Sequence, residues 1–317
     1  QETLPAPSRN TELSASLNRQ IGADQLISIR GLYTDRTILN QGVGGFNLPE
    51  TATNFEDRED FLFFNHRGAI AGKFYNFFRF MIGRDHSLTT SVNPQPKIVV
   101  LGAFTGGGAQ ADRLQTENHI ALNEIVVWSG TKHTVRFGIN VPDVSRRGLD
   151  DNTNAGGTYT FSSLADYLAQ RPFSLVRQSG NGHLVLVEKV LGGFVQDEFK
   201  ALPNLQISVG LRYDWQNYFH DNNNFAPRGS FAYAPGHRKT DVIRGGVGIF
   251  NDRSGPVAIA DLLHSQPGRL VRLVVTDPAF PDPFQSGPAA APPTSKAPLD
   301  PDVPSPTTLQ YRSGLAN

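Results

Sequence analysis

The sequence contains no cysteine. That excludes a disulfide scaffold, a thiolate zinc site, an iron–sulfur cluster and a cysteine nucleophile. It also lacks net charge, because 29 Lys+Arg balance 29 Asp+Glu. A nucleic-acid partner held by phosphate neutralisation is therefore not expected. No run of 18 apolar residues occurs and the mean hydropathy is −0.31, which leaves no transmembrane helix. The opening QETLPAPSRN has neither a basic nor an apolar signal region, so no signal peptide is expected. Phosphate-loop, HExxH and GxSxG motifs are missing, as is any repeat of the solenoid kind. None of these absences touches a transmembrane β-barrel, whose strands need only about ten residues of alternating polarity.

What is present favours strands and turns. The 31 Gly and 22 Pro suit many turns better than long helices. The cleanest segment is Leu205–Gln216: Leu205, Ile207, Val209, Leu211, Tyr213 and Trp215 alternate without error against Gln206, Ser208, Gly210, Arg212, Asp214 and Gln216. Successive strand side chains point to opposite faces, so this strand has one apolar and one polar face. Tyr213 and Trp215 end the apolar row, where a membrane interface favours amphipathic rings. Val135, Phe137, Ile139 and Val141 repeat the pattern, and Leu13–Leu17 and Ile27–Tyr33 carry shorter versions of it. Residues 74–82 are aromatic on both faces and ambiguous by period, while 61–70, 120–128, 185–199, 228–234 and 242–250 read as further strands with noisier alternation.

The connections alternate in length. Short ones fall near Gly22, Gly72, Gly130, Pro203 and Gly236; long polar ones run over about 35–57, 84–112, 143–182, 217–224 and 252–306. A soluble sandwich has no reason to keep its long loops at one end, whereas an outer-membrane barrel has short periplasmic turns and long external loops. The fold expected is therefore all-β: an antiparallel transmembrane β-barrel fragment of about ten meandering strands, with another starting after Pro306. Residues 98–104 (IVVLGAF) resemble a strand but would break the alternation, so they are assigned to an external excursion. Residues 162–169 and 257–264 read as short loop helices, and 173–187 as a hairpin about Ser179–Gly182. Residues 278–306 are proline-rich and read as an extended external loop within a single partial-barrel domain spanning 1–317.

No residue set rises to a catalytic or cofactor site. The glycines at 245, 246 and 248 sit inside a strand pattern and fit close strand packing better than dinucleotide binding. Glu188 and Glu198 are ten residues apart on one strand, about 33 Å, too far for a glycosidase pair. The histidines are scattered, and the Asx clusters at 150–154 and 221–224 match no calcium loop, reading instead as turns. No enzyme activity, cofactor or metal is expected. Arg136, Arg212, Asp214 and Arg244 are charged residues inside strands and are the lumen-facing candidates for a barrel.

The stretch 194–214 (FVQDEFKALPNLQISVGLRYD) resembles a signature of TonB-dependent outer-membrane transporters, most closely the Oar-like group. NNFAPR at 223–228, FAY at 231–233 and VIRGGVGIFNDR at 242–253 follow in the family's order, with KHTVRFG at 132–138 upstream and LDP at 299–301 downstream. The resemblance implies a larger, 22-stranded barrel in the bacterial outer membrane, importing a bulky nutrient. Its partners would be outer-membrane lipid, a plug and further strands of a longer parent chain, and the TonB system. It also implies that this sequence is an internal fragment. The rival reading is a soluble secreted β-sandwich or carbohydrate-binding module, whose apolar faces would be packed against each other.

Overall fold

The fold was analysed in a computed structural model that describes residues 4–70, 72–235, 241–264, 266, 269–283, 302 and 307–316. In chain order the strands are β1 (Ser8–Ile21), β2 (Gln25–Gln41), β3 (Thr53–Ile70), β4 (Phe74–Ser91), β5 (Lys97–Val100), β6 (Phe104–Gly107), β7 (Arg113–Ser129) and β8 (His133–Asp151). They continue as β9 (Thr158–Phe161), β10 (Ser174–Gly180), β11 (His183–Leu202), β12 (Leu205–Gln216), β13 (Phe225–Tyr233), β14 (Val242–Asn251), β15 (Leu270–Thr276) and β16 (Thr307–Ala316). Two short helices, α1 (Leu164–Leu168) and α2 (Pro256–His264), lie in the long connections, as the sequence predicts.

One 11-stranded sheet has the order β1-β2-β3-β4-β7-β8-β11-β12-β13-β14-β16, antiparallel throughout. It contains every spanning strand expected from the alternation. Its order runs from β1 to β16, and among the described residues these two do not pair, so the barrel is open. At the short-connection end, Gly22 and Gly72 adopt φ of +63° and +72°, values that L side chains rarely take. The connection around Gly236 lies outside the described residues.

The strands outrun the alternating segments. β3, β4 and β7 continue far into stretches expected to be polar loop, because backbone ladder bonds need no apolar side chains. With 17 or 18 residues each, they exceed the length a bilayer requires.

Three long connections then build a sheet of their own, with order β15-β10-β9-β5-β6. The 98–104 stretch is indeed an excursion, since β5 and β6 belong to this second sheet. Val100, Tyr159, Phe161, Leu175 and Val275 form its buried core. Phe280 packs edge-on against Tyr159 and Phe161, with ring centroids 5.1 and 5.5 Å away. The expected 173–187 hairpin does not form. β10 pairs with β9 and β15, whereas β11 pairs with β8 and β12. The glycines are used to change sheets: Gly180 has φ +116°, and a Cβ there would lie 1.9 Å from the Arg269 carbonyl oxygen. Most of 278–306 lies outside the described residues.

A second loop core joins α2 to the wall through Ile259, Phe219, Leu149, Leu184 and Leu186. At its edge His264 has an Nε2 that is buried without a hydrogen-bond partner among the described residues. Burial holds this imidazole below its ordinary pKa, against the pull of Asp151 and Asp261. The undocked helix takes up a proton below about pH 6.5, while the docked helix resists it. Docking of α2 should therefore weaken as pH falls below that value and stay constant above it. Amide exchange across 259–264 at pH 5.5 and pH 7.5 reads this directly; equal protection would contradict it.

Candidate functional site on the polar sheet face

Pair registers assign every wall side chain to one of two faces. In β12 the apolar row emerges on one side, and Val209 and Leu211 remain 52% and 44% exposed. Opposite residues carry this face across the sheet: Val195 faces Leu211, Phe137 faces Val195, and Val126 faces Phe137. It continues from Val126 to Asn76 and, further along β4, to Phe80, which faces Phe64, and then through Ile29 to Leu17. Asn76 interrupts it with a polar set, donating to Glu124 and lying 2.8 Å from the His66 ring nitrogen. No second sheet covers this row among the described residues, as the rival sandwich reading would require. Across β11 and β12, Gly193 lies opposite Tyr213. Tyr213 does not cover Gly193, however; it tilts onto Phe225 at 4.8 Å. Aromatic cover of glycine occurs elsewhere, where Phe61 lies over Gly83, Phe194 over Gly138 and Phe231 over Gly245.

The other face is polar, and the four charged residues singled out in the sequence lie on it. Arg212 forms a bidentate pair with Asp214, at 2.7 Å from Nε and 2.6 Å from Nη2, and Nη2 also donates to Asn140 at 3.5 Å. Arg136 donates to Glu198, which also accepts from Gln196 and Gln206 at 3.1 Å each. Arg244 lies opposite Ala232 and Gly314 and has no ion pair among the described residues. Tyr213 and Trp215 both reach Asn222 of the following connection, donating at 3.1 Å to its backbone oxygen and side-chain oxygen respectively.

The densest arrangement is one the sequence did not flag. Arg147 on β8 sits between three carboxylates. It donates to Asp143 at 2.7 Å and to Glu188 at 3.1 Å, and it also pairs with Glu117. Ser145 accepts from Arg147 at 3.0 Å and donates to Asp143 at 3.2 Å. His119 bridges Glu117 and Asp143 at 3.1 and 3.2 Å. The side chains of Arg147 and Glu188 are only 12% and 2% exposed. The cluster therefore ties β7, β8 and β11 together through a charge network held out of water.

A bulge creates this cluster. Leu122 faces Val141 and Ile120 faces Val144, so β8 carries an extra residue beside Pro142. Pro142 has no N–H to give to the ladder, and a proline inside a strand commonly marks such a site. Below it the odd residues Phe137, Ile139 and Val141 take the apolar face; above it the odd residues Asp143, Ser145 and Arg147 take the polar one. The proline inside an apolar-alternating run was the available signal. The Asx cluster at 150–154 is a turn, with Asp151 accepting from the Thr153 backbone at 3.0 Å and hydroxyl at 2.6 Å. Among the described residues no group of acidic and histidine side chains could hold a metal ion.

A family description, outer membrane beta barrel domain, matches residues 5–224 and 217–316. The chain belongs to that family. Its fold is also that of solved outer-membrane proteins. The outer membrane transporter YddB from Escherichia coli superposes with a TM-score of 0.67 at 13% identity, over 97% of this chain and 38% of that one. The siderophore receptor PirA from Pseudomonas aeruginosa gives 0.55 at 12% identity, over 97% and 43%. PirA from Acinetobacter baumannii gives 0.53 at 12%, over 97% and 40%. No curated protein matches the sequence. This outer-membrane barrel segment thus spans about two-fifths of the length of the solved structures it matches. The resemblance read from the sequence motifs holds at the level of the fold and places the segment in the bacterial outer membrane.

Proposed function

We propose that the segment forms part of the wall of a TonB-dependent receptor that imports a bulky nutrient. One observation carries the reading. A mainly apolar face crosses the whole sheet, its polar groups paired as His66–Asn76–Glu124 and His133–Asp197, and the long connections, at one end of it, knit into a common structure. In this arrangement the apolar face meets lipid, and the polar face, with Arg136, Arg212, Asp214 and Arg244, lines the lumen. Tyr213 and Trp215 mark the external interface. The loop sheet and its neighbours form the ligand-capture surface, while a plug and the TonB system act on the lumen from the parent protein.

The absence of native cysteine makes the wall orientation directly testable. In whole cells, a water-soluble thiol reagent should label Arg244→Cys, and a bilayer-embedded quencher should reach a fluorophore at Val247→Cys. The reverse pattern would overturn the assignment of faces. Uptake of the cognate nutrient should stop when the TonB system is removed; uptake that continues unchanged would reject energised import.

A further inference from the structure

The lipid-facing side carries a feature that a simple hydrocarbon contact does not need. A groove of about 870 Å³ crosses β1, β2, β3, β4, β7 and β8, reaching Val187 of β11. Its apolar floor includes Leu62, Ile82, Ile120 and Val144, which face one another in successive strands. Ala15 opposite Gly31 leaves a notch at one end, where a Cβ on Gly31 would meet nothing within 4 Å. The upper margin of the groove is polar. There Asp60, Arg84, Asn118 and Arg146 succeed one another across β3, β4, β7 and β8.

The two arginines are uncompensated. Asp60, the neighbour of Arg84, is already held by Arg58 at 3.0 and 3.3 Å, and Arg58 lies over the Tyr33 ring. Arg146 faces Asn118 and Val187, neither of them acidic. Among the described residues neither Arg84 nor Arg146 forms an ion pair, and both are exposed. Two strand spacings, about 10 Å, separate them. Their height is also telling. From Phe74, at the short-turn end, to Arg84 the strand advances ten residues, about 33 Å along a strand. At a tilt of about 40° that is about 25 Å, the height of a barrel's apolar band. The guanidinium pair thus stands where hydrocarbon gives way to headgroups, directly above an apolar groove.

We propose that this groove binds a phosphorylated, multiply acylated lipid of the external leaflet. Acyl chains fill the floor, and headgroup phosphates accept from Arg84, Arg146 and Asn118 as charge-assisted hydrogen bonds. The proposal rests on the long connections being external. That premise is checked separately by whole-cell labelling of Gly45→Cys, which lies in one of them.

The direct test is native mass spectrometry of the full chain in detergent with diphosphoryl lipid A. Wild type should retain the lipid, and the Arg84→Gln/Arg146→Gln pair should lose at least about tenfold in retention, the equivalent of one charge-assisted hydrogen bond. Arg84→Lys/Arg146→Lys should recover part of it. Gly31→Phe, which blocks the notch with both charges kept, should also weaken retention. Dephosphorylated lipid A should bind poorly, and inorganic phosphate should not compete. Unchanged retention by the Gln pair overturns the site, as does equal retention of the dephosphorylated lipid or an equal loss on Arg228→Gln, which lies on the opposite face. If Gly45→Cys is labelled and these results fail, the lipid site alone is wrong.

Discussion

Arg147→Met should lower the stability of the folded sheet by about 3–5 kcal/mol, the usual consequence of removing one partner from a buried ionic network. The substitution keeps an unbranched side chain of comparable reach but strips Glu188 of its guanidinium partner and leaves Glu117 and Asp143 with His119 alone. The loss would appear as a lower urea midpoint at unchanged slope for the protein folded in detergent. Arg58→Met is the control. Its pair with Asp60 is 57% and 41% exposed, so its loss should leave the urea midpoint nearly unchanged. Equal effects of the two changes would mean that the Arg147 cluster is not shielded as its burial indicates. Because the cluster links β7, β8 and β11, the loss should also cooperate with Glu188→Leu. The double variant should be more stable than Arg147→Met alone.

Leu211→Arg should be the most damaging change on the opposite face. Leu211 lies six residues up β12 from Leu205, near the middle of the apolar band, where an arginine on the lipid side costs about 2–4 kcal/mol. Ser208→Arg, on the polar face of the same strand, should be tolerated to within about 0.5 kcal/mol. The difference between these two measurements is the sharpest check on which side of the sheet meets hydrocarbon. If Ser208→Arg were the worse of the two, the faces would have to be exchanged.

Much of this architecture is legible in the sequence, for a physical reason. β12 could be read to the residue because its apolar and polar positions alternate without error over its whole length, one face apolar and the other polar. β1 and β2 could be placed from shorter runs. Their upper halves could not, because above the bilayer both faces of a strand are wetted and the period disappears. The Pro142 bulge defeated the pattern in another way. A single extra residue reverses which parity faces which side, so Arg147 and Glu188 are brought together by strand pairing rather than by spacing. Glu188 looked unpromising when judged only against Glu198 on its own strand. The 173–187 stretch has the local chemistry of a hairpin, but partners remote in sequence win β10: Val176 pairs with Val274 and Leu175 with Tyr159.

That remote pairing also sets an order of events. Nearly all wall contacts join strands that are neighbours along the chain or separated by one excursion. The β10–β15 ladder joins segments about a hundred residues apart, and β5–β9 is a parallel pairing between two different excursions. Closing such long segments is entropically slow. The crown above the wall should therefore be the last part to lock during biogenesis, after the staves beneath it are zipped. Extracellular protease added early would then clip the crown while leaving the staves intact.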